Sequence, residues 1–141
     1  MEQPFIIERM LNAPVDKVWK AISDGKEMQK WYFNLPDFRA EVGYEFQFSG
    51  GPPEKQYLHL CKVTEAVKEK KLSYTWRYDG YPGNSEVMFE LFPEGNKTRI
   101  KLTHAGLETF AVSKNPHLDK KNFEAGWTDI IGRMLPEFLA K

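Results

Sequence analysis

From Leu72 to Asp79 the side chains alternate without a break, with Leu72, Tyr74, Trp76 and Tyr78 set against Ser73, Thr75, Arg77 and Asp79. Only an extended strand sends successive side chains to opposite faces, so this segment predicts a strand with one aromatic and one polar face. A strip of large rings must be covered. The rest of the chain has to supply that cover.

The same period recurs on both sides. Tyr44, Phe46 and Phe48 alternate with Glu45, Gln47 and Ser49 up to a turn at Gly50-Gly51-Pro52-Pro53. Lys55 to Val67 reads as a strand with poorer alternation. Tyr81-Pro82-Gly83-Asn84 and Glu94-Gly95-Asn96 read as turns. Between and after them, Val87, Phe89 and Leu91, then Ile100 and Leu102, keep an apolar face.

The ends of the chain behave differently. Phe5 to Leu11 is a short apolar run that suits a strand. Asn12-Ala13-Pro14 then opens a helix, with Asn12 as cap and Val15, Val18, Trp19 and Ile22 on one face. Asp24 and Gly25 break it, and a second short helix covers Lys26 to Trp31 or Tyr32. A polar connector runs from Gly106 to about Lys121. After it, Phe123, Trp127, Ile130, Ile131, Met134 and Phe138 mark one face of a long helix. At about 1.5 Å per residue an 18-residue helix is roughly 27 Å long, enough to cross a domain of this size. Pro136 lies inside it, crowds the carbonyl of Gly132 and predicts a kink or a loosening there.

An antiparallel meander with one aromatic face needs a lid, and the terminal helix is the only element large enough. The prediction is an α+β helix-grip fold: a curved antiparallel sheet, two short helices and a long C-terminal helix enclosing a cavity. The 141 residues suit a single domain over 1–141.

ERMLNAPVDKVWKAISD, MQKWY, KLSYTWRY, TRIKLTHAGL and AGWTDIIGRMLPEFL, in that order, resemble the activator-of-Hsp90-ATPase-like branch of the START/Bet v 1-like superfamily. That resemblance covers nearly the whole chain. It implies a helix-grip domain whose cavity takes lipids, polyketides, flavonoids or other apolar molecules, and it implies no shared active site. The eukaryotic co-chaperones carry a separate N-terminal domain, for which this chain has no room.

Composition narrows the partners. Lys plus Arg and Asp plus Glu are 20 each, so the net charge is zero, which argues against nucleic-acid binding. Lys68, Lys70 and Lys71, and then Lys114, His117, Lys120 and Lys121, read as solvated turns. Cys61 is the only cysteine, which excludes an intrachain disulfide. No stretch approaches the ~18–20 apolar residues that span a bilayer, and the N-terminus lacks a basic segment before an apolar run. A cytoplasmic protein without membrane insertion is expected.

The aromatic count, 10 Phe, 6 Tyr and 4 Trp, suits either a dense core or a pocket for flat apolar ligands. The candidate cavity residues are Trp31 and Phe46, then Tyr74, Trp76 and Phe89 on the meander, and Trp127, Ile131 and Met134 on the terminal helix. His59 and His104 join them. His59 shares a strand face with Cys61, but two soft ligands make an incomplete metal site. His104 shares the face of Ile100 and Leu102, either as a satisfied core histidine or as the group that orients a ligand. No nucleophile motif or phosphate-binding loop is present, and no cofactor is expected. Three functions compete: noncatalytic binding of a small apolar or aromatic ligand, a polyketide cyclase or dehydratase with His104 as acid or base, and a chaperone-associated or stress-response interaction module. A weak homodimer is compatible with each.

Overall fold

The computed structural model describes residues 4–32, 35, 38–50, 56–110 and 120–140, and each alternating segment among them is a strand. These are β1 (Phe5–Leu11), β2 (Glu45–Gly50), β3 (Tyr57–Val67), β4 (Lys71–Tyr78), β5 (Ser85–Glu94) and β6 (Lys97–Ala105). They form one antiparallel sheet in the order β1-β6-β5-β4-β3-β2. Consecutive strands from β2 to β6 are neighbours, while β1 lies at the far edge on β6. The Gly51-Pro52-Pro53 part of the predicted turn, Lys114 and His117 fall outside the described residues.

Register explains why one strand alternates poorly. Val63 pairs with Tyr74 but Glu65 pairs with Ser73, so Thr64 is an extra residue on β3. Its hydroxyl lies 2.9 Å from Ser73 Oγ and donates to Glu86 Oε2 at 2.6 Å. A bulge of this kind bends its strand and raises local twist. Gly106, which ends β6 at φ 87°, is needed for a second reason: a Cβ there would sit 2.9 Å from the Asn84 carbonyl oxygen.

Two short helices follow β1: α1 (Val15–Ser23) and α2 (Gly25–Trp31). Pro14, not Asn12, is the N-cap of α1, and no side chain caps it. The fixed φ of proline suits a helix start without such a bond. Asp24 caps α2 by accepting from the Lys26 backbone N–H at 2.9 Å.

The terminal helix, α3, has three stretches: α-helical Lys120–Asp129, π-helical Ile130–Met134 and α-helical Leu135–Leu139. The Leu135 N–H bonds back to the Ile130 carbonyl, five residues away. This widened turn lies just before Pro136, whose ring cannot fit against the carbonyl four residues back in a regular helix. Wider winding also changes which residues are buried. Trp127, Ile131, Leu135 and Leu139 are buried, whereas Phe123, Ile130, Met134 and Phe138 are only partly so. The loosening expected at Pro136 is present, but counting the stripe at regular α-helical spacing through it misses Leu135 and Leu139.

The helix lies over the concave face of the sheet, where Leu72, Tyr74, Trp76, Val87, Phe89, Ile100 and Leu102 are all buried. This is the α+β helix-grip arrangement. Among the described residues no helix is long and apolar enough to cross a membrane.

Candidate functional site

β4 supplies the centre of the interior. Tyr74 stands edge-on to Phe46 at 5.1 Å between ring centres and 6.0 Å from Phe89. Trp76 reaches Trp127 of α3 at 5.6 Å, and Phe89 meets Trp127 edge-on at 6.1 Å. Fully burying a ring as large as Trp127 stabilises the fold by roughly 4–6 kcal/mol at the usual coefficient for apolar area. Ile131 is fully buried one helical turn further on.

His104 is built into this packing. The Trp127 indole N–H donates to His104 Nδ1 at 2.9 Å, so that nitrogen is an acceptor. Nε2 therefore carries the ring hydrogen and donates to Ser85 Oγ at 2.8 Å, and Ser85 donates in turn to the Trp76 carbonyl at 2.7 Å. Both ring nitrogens are used. Burial lowers its pKa to about 3, which keeps the ring neutral. A histidine wired this way has no lone pair or spare proton for a substrate. Of the two roles left open by the sequence, it is the satisfied core histidine. Ser85 was not foreseen, although it begins the inward alternation continued by Val87 and Phe89.

His59 is held by rings and backbone. Phe48 stacks on it at 4.4 Å, and Trp76 and Tyr78 stand edge-on at 4.9 and 4.7 Å. Its Nδ1 lies 2.9 Å from the Tyr57 carbonyl and 3.2 Å from that of Phe48. Carbonyls only accept, so Nδ1 carries the hydrogen. Burial lowers its pKa to about 4, against the two backbone bonds that favour the charged form. Burial also pushes up the thiol pKa of Cys61, against the pull of Arg77.

The interior has a different character near α2. Tyr32 ends that helix, and its hydroxyl lies 2.8 Å from that of Tyr74. Burial raises both phenols above their ordinary pKa, so both stay protonated. Outside Tyr32 is a pocket of about 310 Å³ between α2 and the end of α3, lined by Gln29, Lys30, Trp31, Tyr32, Met134, Glu137 and Phe138. Trp31 stacks with Tyr32 at 5.1 Å and with Phe138 at 6.5 Å, and its indole N–H donates to the Ala21 carbonyl at 2.8 Å. Met134 was expected above Tyr74 and Trp76; it instead lines this outer pocket, half-buried.

The sequence candidates thus divide. Phe46, His59, Tyr74, Trp76, Phe89, His104, Trp127 and Ile131 are interior, whereas Trp31 and Met134 flank the pocket. Tyr32 and Phe138 complete its wall. Tyr32 is the furthest residue that the predicted helix could reach, and nothing in the local pattern marks its side chain as turned inward.

Residues 12–140 match the family described as Activator of Hsp90 ATPase homolog 1-like protein. A search of curated proteins finds no match. Among solved structures, protein CV1439 from Chromobacterium violaceum is 20% identical with a TM-score of 0.80, over 100% of this chain and 99% of that one. Protein BH1534 from Bacillus halodurans is 27% identical with a TM-score of 0.68, over 98% and 99% of the two chains. DynU16, a protein from the dynemicin biosynthetic locus, is 19% identical with a TM-score of 0.78. All of this chain matches it, over 48% of the DynU16 chain, so this chain spans about half that protein's length.

Proposed function

The chain belongs to the Activator of Hsp90 ATPase homolog 1-like family, and from that premise we propose that it binds a small, flat, apolar ligand between α2 and the end of the terminal helix. The observation that carries this reading is the outer pocket of about 310 Å³, walled by Trp31, Tyr32, Met134 and Phe138 beside the aromatic interior. Sites for small ligands combine apolar walls with a few converging polar groups, at volumes from about 300 Å³ upward. Aromatic surface from Trp31, Tyr32 and Phe138, with adaptable Met134, would take the ligand's faces. Similarity to a protein of a biosynthetic locus supports a small-molecule role of this kind.

Catalysis has less support. The cyclase reading rested on His104, whose nitrogens are taken by Trp127 and Ser85. A chaperone-docking role would call for a broad exposed apolar patch. Among the described residues the exposed large apolar side chains are Ile6, Met10, Val42 and Val67, spread over three parts of the chain. A cytoplasmic setting fits the lone reduced Cys61.

The test is a thermal-shift screen with planar aromatic compounds carrying one hydroxyl or carbonyl, run on the native chain and on Met134→Trp. A compound at about 100 times its dissociation constant adds ~2.7 kcal/mol. The expected result is a raised melting temperature in the native chain and a loss of that rise in Met134→Trp, whose larger ring fills the pocket. If no compound raises the melting temperature, or the variant responds equally, this reading is wrong.

A further inference from the structure

The convex face of the sheet carries a charge pattern that ligand binding does not use. Strand pairing sets Glu8 beside Lys101, Lys101 beside Glu90, and Glu90 beside Lys71. All four lie on the face opposite the core, so one row across β1, β6, β5 and β4 reads minus, plus, minus, plus. With strands about 4.8 Å apart the row is roughly 14 Å long. Glu8 already holds Arg99 at 2.6 Å and Lys71 holds Glu65 at 3.1 Å. Among the described residues, Lys101 and Glu90 at the centre form no ion pair.

Less polar rows flank this one. Met10, Arg99 and Phe92 lie to one side, and Ile6, Thr103 and Met88 to the other. Ile6 and Met10 are 47% and 50% exposed, and the Arg99 guanidinium sits 4.3 Å from the centre of the Phe92 ring.

An alternating row with an even number of charges opposes its own complement when turned end for end. We infer that this face packs against the same face of a second copy, across a two-fold axis that runs along the strands between β6 and β5. That operation sets Glu8 against the partner's Lys71 and Lys101 against the partner's Glu90, and it brings Arg99 over the partner's Phe92. Face-to-face sheets cross at about 30°, which displaces the ends of the row by roughly 4 Å. Lysine and glutamate side chains span that offset. A uniformly acidic or basic partner would meet two like charges in the row, whereas a second copy meets none. The edge of β1 is a poorer contact, because Arg9 Nη1 already caps the Glu8 carbonyl at 2.7 Å. Charges at an exposed interface are screened by salt, so the dimer is weak and salt-sensitive.

Sedimentation velocity on the full chain tests this. A concentration-dependent dimer is expected at about 20 mM salt, with its dissociation constant rising roughly tenfold or more by about 500 mM. Lys101→Glu creates like-charge contacts at both central positions and should abolish the dimer. Lys101→Glu combined with Glu90→Lys restores both central opposite-charge contacts across the axis and should recover it. A chain that stays monomeric at low salt, a dimer that survives Lys101→Glu, or a double variant that fails to recover would each overturn the inference.

Discussion

At the β6 end of the aromatic interior, Trp127 is joined to the sheet through His104 and Ser85, by three hydrogen bonds that finish on the Trp76 backbone. At the α2 end, Tyr32 meets Tyr74 through one hydroxyl contact, beside a pocket of about 310 Å³. Both ends use aromatic rings, yet they differ in how the polar atoms are used. Where every donor and acceptor is paired inside, a foreign molecule gains nothing by entering and displaces good contacts. Where a pocket is walled by the Trp31, Tyr32 and Phe138 rings, a flat ligand would meet aromatic surface without displacing the buried packing. The first end holds the fold, and the second is where the proposed ligand would be recognised.

The largest expected effect lies at the wired end. Trp127→Ala should cost about 3–5 kcal/mol, because it opens a void and strips His104 of its donor. Urea unfolding measures this; a loss below about 1 kcal/mol would show that the helix is not held there.

Acid should act on the same end. The folded-state pKa values of about 3 for His104 and about 4 for His59 lie below the ordinary value of 6.5. The unfolded chain therefore takes up protons first as pH falls. Stability is complete above 6.5 and declines toward 4, approaching about 1.4 kcal/mol per pH unit for each histidine. His104→Gln, which cannot titrate, should roughly halve the slope between pH 6 and 5. An unchanged slope would mean that His104 is not the buried neutral ring described here.

The smallest effect belongs to the other end. Tyr74→Phe removes one hydroxyl of a single pair and should cost only about 0.5–1.5 kcal/mol. It should nonetheless weaken any ligand found in the thermal-shift screen, because the Tyr74 hydroxyl positions the Tyr32 ring that walls the pocket. A large stability loss with no change in binding would erase the distinction between the two ends.

Much of the fold was legible because period is a local signal. Tyr74, Trp76 and Tyr78 announce their strand, Phe5 to Leu11 matches β1 at both ends, and Gly95 marks its turn at φ 67°. The site was legible only as composition. His104 was placed on the inward face, but its role depends on Ser85 and Trp127, which lie 19 and 23 residues away. Tyr32 and Tyr74 are 42 residues apart, and no local pattern couples them. Thr64 and the wide turn before Pro136 each shift the phase of a periodic pattern. Reading such a pattern assumes a constant phase: at Thr64 the shift only blurs a strand that is still recognised, whereas before Pro136 it misplaces the buried stripe.

The wide turn at Ile130–Met134 acts as a vernier between two scales. Trp127, Ile131, Leu135 and Leu139 recur every fourth residue, a step that gains about 40° per repeat on an ordinary helix and would carry the last of them some 120° away from the first. One slackened turn takes up that gain and returns Leu135 and Leu139 to the buried side, where Lys17 Nζ of α1 grips the Leu139 carbonyl at 2.9 Å. The terminus is thus geared one residue out of step with the helix that carries it. Deleting a single residue between 130 and 134 would close the wide turn into a regular one and leave Leu135 and Leu139 seven and eleven residues from Trp127, within about 20° of its line. The slack turn is one extra residue that the lid carries without losing its buried face.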